Sequence, residues 1–265
     1  MLLAIDIGNT NIVLGVFSED KIIGTWRIST GVHRTSDEYG NTLVNMLAHK
    51  NIKVSQITDT VLCSVVPPLI TVFEEASHHY FNIHTLVIEA GVKTGIKICM
   101  DNPREVGADR IVNAVAAHYL YGAPVIVIDL GTATTFDAVS AEGDYLGGAI
   151  APGIAIATEA LFNRTAVLPR VDLTFPKKAI GTNTVAAMQS GIIYGYAGLI
   201  ESIVKRIQQE MGGKVKVVAT GGFSELLAQV TPVIEEVNQE ITLIGLKYIY
   251  EMNQTKESKK GNVKR

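Results

Sequence analysis

The chain writes one acidic turn twice. Asp6-Ile7-Gly8-Asn9-Thr10-Asn11 returns in pattern as Asp129-Leu130-Gly131-Thr132-Ala133-Thr134, an offset of 123 residues between the two aspartates. An apolar run precedes each copy, at 2–5 and 125–128, and an alternating run follows it, which predicts strand-turn-strand units with Gly8 and Gly131 in tight hairpin turns. The offset persists beyond the turns, where Val16 falls on Val139, Glu19 on Glu142 and Gly24 on Gly147. One such turn would be weak evidence; two in register indicate duplication of a whole supersecondary unit. Glycine lets backbone N–H groups approach phosphate oxygens. A carboxylate ahead of that turn would repel phosphate unless a cation stood between them, so Asp6 and Asp129 read as ion-holding groups of a duplicated nucleotide clamp.

A chain of 265 residues, 47% hydrophobic and 18% charged, can bury a large core and suits one large domain or two halves. The duplication favours two, and the expected division is 1–121 and 122–252, with 253–265 a solvated basic tail. Net charge is −3 with dispersed Lys and Arg, so no basic face points to nucleic acid. Cys63 and Cys99 form no Cys-x-x-Cys pair and read as reduced, buried thiols of a cytosolic protein. The first residues lack the basic flank and long apolar stretch of a secretory signal. Residues 183–200 are uncharged but interrupted by Asn183, Thr184, Gln189, Ser190, Tyr194 and Tyr196, so they read as a helix buried between domains or subunits and not as a membrane span. Gly191, Gly195 and Gly198 along it allow close backbone approach.

The first half reads as βββαβαβ. Runs at 2–7, 11–17 and 22–28 give a meander, Thr35 with Glu38 forms a capping box, and Pro67-Pro68 opens a second helix between strands at 60–66 and 85–88. A helix over 105–119 closes this half. The second half repeats the plan with strands at 125–128 and 134–139, a turn through 147–153, and helices at 154–161 and 183–211. A strand at 215–219 then meets Thr220-Gly221-Gly222, followed by a helix at 224–230, a strand at 233–237 and a helix at 242–252. Gly-x4-Gly-Lys-Ser/Thr and Gly-x-Gly-x-x-Gly are both absent, which excludes P-loop and Rossmann readings.

A second informative stretch is Gly107-Ala108-Asp109-Arg110, which sets a carboxylate beside a guanidinium in the first turn of a helix. Such a turn offers free N–H groups to an anionic substrate, with Arg110 as a bidentate partner and Asp109 as acceptor of a hydroxyl proton. The helix dipole and Arg110 should lower the pKa of Asp109, and a pure helix-charge role for Asp109 remains open from this stretch alone. The six histidines show no zinc-ligand spacing.

Two Asp-x-Gly turns followed by a strand and Thr-Gly-Gly resemble, end to end, the phosphate-one, phosphate-two and adenosine elements of the actin, hexokinase and acetate-kinase superfamily. The resemblance tightens on Asp6-Ile-Gly-Asn-Thr-Asn, the 107–110 turn, Asp129-Leu-Gly-Thr-Ala, Gly147-Gly-Ala-Ile-Ala-Pro-Gly153 and Gly181-Thr-Asn-Thr184: over residues 1–252 the chain is similar to type III pantothenate kinases. That resemblance implies an α/β fold of two duplicated actin-like (ribonuclease H-like) lobes with the nucleotide cleft between them. It also implies phosphorylation of pantothenate to 4'-phosphopantothenate by ATP, the first step of coenzyme A biosynthesis, in a cytoplasmic homodimer. ATP would be held by Asp6, Ile7, Gly8, Asn9, Thr10, Asn11, Ile12, Val13 and Thr132. Pantothenate would be held by Gly107, Ala108, Asp109, Arg110 and Thr184, with Asp109 as proton acceptor. Mg²⁺ would accompany ATP, and a monovalent cation, K⁺ or NH₄⁺, would sit on Asp129. Met100 stands where the family pattern favours tyrosine near the substrate. Two other readings compete: a kinase for another small hydroxylated metabolite such as a sugar, and a nucleotide-sensing regulator, the latter opposed by Asp109 and by the lack of a helix-turn-helix extension.

Overall fold

A continuous apolar run, buried on both faces, builds β1 (Leu2–Ile7); β2 (Asn11–Ser18) alternates at its start and is then buried on both faces, and the meander continues into β3 (Lys21–Ser29). The computed structural model describes residues 1–254; the basic tail read from the sequence falls, past Gln254, outside the described residues. Helix α1 (Ser36–His49) starts at the expected capping box, in which Thr35 Oγ1 accepts from Glu38 N–H and the Glu38 carboxylate accepts from Thr35 N–H. Then come β4 (Asp59–Ser64), α2 (Pro68–Phe81) with its proline in the first turn, and β5 (Thr85–Val87). The sheet order is β3-β2-β1-β4-β5, antiparallel through the meander and parallel from β1 to β5. One face, carrying Leu3, Ile5 and Ile7, packs with Tyr39, Leu43, Leu69 and Phe73 of the two helices.

The second sheet repeats this plan. It contains β6 (Val125–Leu130), β7 (Ala133–Val139), β8 (Tyr145–Pro152), β9 (Lys216–Thr220) and β10 (Glu236–Val237), in the order β10-β9-β6-β7-β8. Helices α4 (Ile154–Asn163), α5 (Thr184–Glu210) and α6 (Ser224–Ala228) belong to it, and α5 supplies Met188, Ile192, Ile193 and Ile200 to a core with Ile126, Ile128 and Phe136. Residues 145–152 form a paired strand where a turn was expected, because the alternation there is masked by glycine and alanine. The duplication is closer in structure than in sequence. Ile7 pairs with Ile12 across a four-residue turn, whereas Leu130 pairs with Thr134 across three, so the second turn is one residue shorter. Val16, opposite Gly24, therefore corresponds to Ala138, opposite Gly147, and not to Val139.

Two compact units result. The first comprises Met1–Gly95, Asn102–Ala116 and the last described helix, α7 (Ile241–Asn253), from Thr242 on; the second comprises Ile96–Asp101 and Ala117–Ile241. The long helix α3 (Ala108–Tyr121) is shared at Ala116. This division differs from a simple split after residue 121, because α7 returns to the first unit. There Thr242 Oγ1 donates to Asn113 Oδ1 at 2.7 Å, and the buried Lys247 Nζ pairs with Asp20 and Glu251, each at 2.8 Å. Cys63 is buried as expected, but Cys99 is exposed, on the short segment that bridges to β8 through Ile98 and Tyr145.

Candidate functional site

In the first unit, Asp6 is the next-to-last residue of β1, and the register sets Val13 of β2 and Cys63 of β4 on either side of it. Cys63 Sγ donates to Asp6 Oδ1 at 3.3 Å. The chain then turns through Gly8, Asn9, Thr10 and Asn11, closed by Gly8 N–H donating to Asn11 O at 3.0 Å, and the three residues after Gly8 are exposed. Asp109 sits in the first turn of α3, where its Oδ1 accepts the Arg110 N–H at 2.8 Å. Its carboxylate lies near enough to act on Asp6. Burial first, and the Asp109 charge second, push Asp6 up to about 7, against the Cys63 hydrogen bond and the Arg27 charge, which lower it.

Asp109 itself corrects one expectation. Its pKa is raised, not lowered: burial outweighs the Arg110 N–H, the Arg110 charge and its own backbone hydrogen bond. Desolvation wins because the carboxylate is largely shielded from water, though not fully buried, at the helix start. The same burial, with the two carboxylates beside it, pushes the Cys63 thiol well above its ordinary range, so it stays a neutral donor. Nothing in the spacing of the sequence marked Cys63 as a neighbour of Asp6; the contact arises from parallel pairing between strands far apart in the chain.

In the second unit, Asp129 occupies the corresponding end of β6, with Thr135 of β7 and Thr220 of β9 beside it in register. The two copies thus differ in their flanks, an apolar group and a thiol around Asp6 but two hydroxyl residues around Asp129. Gly221, at φ +89°, comes so close that a Cβ there would stand 2.6 Å from Asp129 Oδ1. Thr132 is exposed in the shorter turn, and Thr184 is exposed at the start of α5, whose cap is Asn183 Oδ1 accepting from Ala186 N–H at 2.9 Å. Met100 lies against Gly147, its Sδ 2.6 Å from where a Cβ at 147 would be. Among the described residues no group of three or more His, Cys, Asp or Glu side chains could hold a metal ion, so an ion at either aspartate would be completed by hydroxyl, carbonyl or phosphate oxygens. Residues 6–13 and 107–110 thus lie in the first unit, and Asp129, Thr132 and Thr184 in the second.

A five-stranded sheet built twice, each copy carrying an aspartate and a glycine turn near the end of its first strand, is the duplicated plan of the actin-like class. Comparison with known proteins narrows the class. The type III pantothenate kinase family model matches residues 2–206. A type III pantothenate kinase from Dehalococcoides mccartyi is 50% identical over 252 residues, covering 95% of this chain and 96% of its own. The chain belongs to the type III pantothenate kinase family. Among solved structures, a Baf family transcriptional activator from Campylobacter jejuni aligns with a TM-score of 0.61 at 20% identity, over 95% of this chain and 98% of that one. A protein described as a 2-dehydro-3-deoxygalactonokinase from Sinorhizobium meliloti aligns at 0.59 and 13% identity, over 96% and 97%. At these identities the two likenesses show the fold alone.

Proposed function

We infer that this protein transfers the γ-phosphoryl group of ATP to the hydroxyl of pantothenate, giving 4'-phosphopantothenate, the first step of coenzyme A biosynthesis. Family membership supports the reaction, and one observation supports the residues: Asp6, at the phosphate turn, senses the charge of Asp109, on a different element. A phosphate grip and a proton acceptor are what phosphoryl transfer to an alcohol requires. The loop of residues 6–13 would hold the ATP phosphates, helped by Thr132. Residues 107–110 and Thr184 would hold pantothenate, Arg110 answering its carboxylate. Asp109 would orient the hydroxyl and take its proton, a task its raised pKa favours.

A carboxylate pushed up to about 7 by burial and by a second carboxylate is one that a cation stabilises, so Asp6 suits Mg²⁺ held through water. Mg²⁺ bound with ATP neutralises phosphate charge. Asp129, flanked by Thr135 and Thr220, offers the oxygen donors that K⁺ or NH₄⁺ takes. An apolar groove of about 620 Å³ along α5, lined by Leu161, Met188, Gly191, Gly195 and Leu199, supports a homodimer through this face. A cytoplasmic enzyme without nucleic-acid or lipid partners completes this reading; no described helix is long and apolar enough to cross a membrane. The test is direct. Purified protein with ATP, Mg²⁺ and either pantothenate or a panel of sugars, followed by mass spectrometry, should give a phosphorylated product from pantothenate; a product from a sugar alone, or none, refutes the assignment.

A further inference from the structure

Thr30, one residue beyond β3, makes two hydrogen bonds to the turn that follows β1. Its Oγ1 donates to Gly8 O at 2.6 Å, and its N–H donates to Thr10 O at 3.0 Å. A peptide unit is planar and trans, so its C=O and the following N–H point in opposite directions. With Gly8 O and Thr10 O both turned toward Thr30, the N–H groups of Asn9 and Asn11 must point away from it. The turn's own closing bond, Gly8 N–H to Asn11 O, fixes the remaining freedom. Thr30 thereby decides which way the amides of the phosphate turn face.

Thr30 is itself held to the core. Gly31 N–H donates to Tyr39 Oη at 3.0 Å, and that hydroxyl donates to Gly31 O at 3.1 Å. Tyr39 is fully buried, with its ring 4.6 Å from that of Phe73 and the Arg34 guanidinium 4.6 Å above it. A continuous chain of contacts therefore runs from the core of the first sheet through Tyr39 and Gly31 to Thr30 and the turn.

The second copy solves the same problem differently. Asn11 pairs with Ser29 and Ala133 with Pro152, so the position that corresponds to Thr30 is Gly153. A Cβ at 153 would stand 2.1 Å from Thr132 O and 2.6 Å from Gly131 O. Backbone lies directly against those carbonyls, leaving no room for a side chain. Only the longer first turn, with its additional residue, leaves a gap that a hydroxyl fills.

We propose that Thr30 is a positioning residue for nucleotide binding: its hydroxyl latches the Gly8 carbonyl so that the turn presents its amides to the phosphates of ATP before ATP arrives. This rests on the kinase reading above. Removing the hydroxyl leaves the fold intact but frees the turn, so binding must reorder it. Thr30→Val keeps the branched shape without the donor, and Thr30→Ser keeps the donor.

Binding of a non-hydrolysable ATP analogue with Mg²⁺, measured by calorimetry, should weaken about 3- to 10-fold in Thr30→Val, the range of one neutral hydrogen bond, and stay within about twofold of wild type in Thr30→Ser. In steady-state kinetics the loss should fall on KM for ATP more than on kcat, with KM for pantothenate unmoved. Unchanged analogue affinity in Thr30→Val overturns the proposal, as do equal losses in Val and Ser variants, or losses for ATP and pantothenate alike with a lowered Tm. Wild-type protein that binds the analogue but phosphorylates no pantothenate would overturn the substrate assignment and leave this proposal standing if the Val and Ser variants separate; wild type that binds no nucleotide refutes both.

Discussion

Gly107 and Asp109 meet so closely that a side chain on residue 107 would have to push the carboxylate aside: a Cβ there would lie 2.5 Å from Asp109 Oδ1. The missing side chain and the Arg110 N–H together hold one oxygen of the carboxylate in place at the start of α3. Asp109→Asn keeps this shape and removes the proton acceptor. Turnover should fall about 10²- to 10⁴-fold with little change in ATP affinity. If Asp109 served only the helix dipole, the variant would instead lose about 0.3 to 1 kcal/mol of stability and keep its turnover. Steady-state assays and thermal melts on the same preparation separate the two.

Gly107→Ala tests the same relationship from the other side. The new methyl group must displace the Asp109 carboxylate, since the other close neighbour, Val65 Cγ1, lies at 3.7 Å. Turnover should drop at least about tenfold, because misplacement by about an ångström is costly in an oriented site. Wild-type turnover in this variant would show that the carboxylate position does not matter.

Asp6 carries a pH signature. Its pKa rises from 3.8 to about 7 on folding, so the folded state favours the proton, and the associated stability is present below pH 3.8 and lost as pH climbs through 7. Asp6→Asn should therefore be more stable than wild type at pH 8, by up to about 4 kcal/mol, with the difference closing below pH 4. In wild type, kcat/KM for ATP should fall as pH drops below about 7, where free enzyme takes up the proton. A pH-independent difference in melting between the two proteins would refute the assignment.

If Asp129 holds a monovalent cation as proposed, Asp129→Ala should abolish the rise of rate with added potassium, because the cation would lose its anionic ligand and the phosphates a neutralising charge. Potassium titrated into a sodium background provides the measurement. A mutant whose rate still climbs with potassium places the ion elsewhere.

Helix α5 leaves Gly191, Gly195 and Gly198 exposed, and a Cβ on any of them meets nothing within 4 Å. The fold therefore tolerates a side chain there, whereas a helix packed closely against this face does not. Light scattering should report a dimer for wild type at micromolar concentration and a shift toward monomer for Gly195→Arg. A monomeric wild type would sink the interface.

Much of this was legible from residue order. The duplicated Asp-x-Gly turns and the Thr35 capping box are local signals that need no distant partner, whereas the helix expected over 105–119 begins only at Ala108, because Pro103–Glu105 closes as a separate 3-10 turn. Thr30 and Cys63 were not legible, since each matters through a partner brought in by strand pairing: Thr30 through Gly8, Cys63 through Asp6. The sign of the Asp109 shift was misjudged for a related reason. A dipole and a neighbouring guanidinium can be read from sequence, but the depth at which the carboxylate is buried cannot.

Helix α7 gives the chain an order of manufacture. It is the last of the described helices to be made, yet Thr242 bonds Asn113, 129 residues earlier, and Lys247 reaches Asp20, 227 residues earlier. At about 5 to 20 residues per second, the β2–β3 hairpin leaves the ribosome roughly 10 to 50 s before its Lys247 partner. Through that interval Asp20, Asn113 and the Gly15 stretch of β2 lack the partners that α7 supplies. A fragment ending at Tyr121 would stay in that condition permanently, which makes the two halves of this duplication alike in plan but unequal as independent folding units.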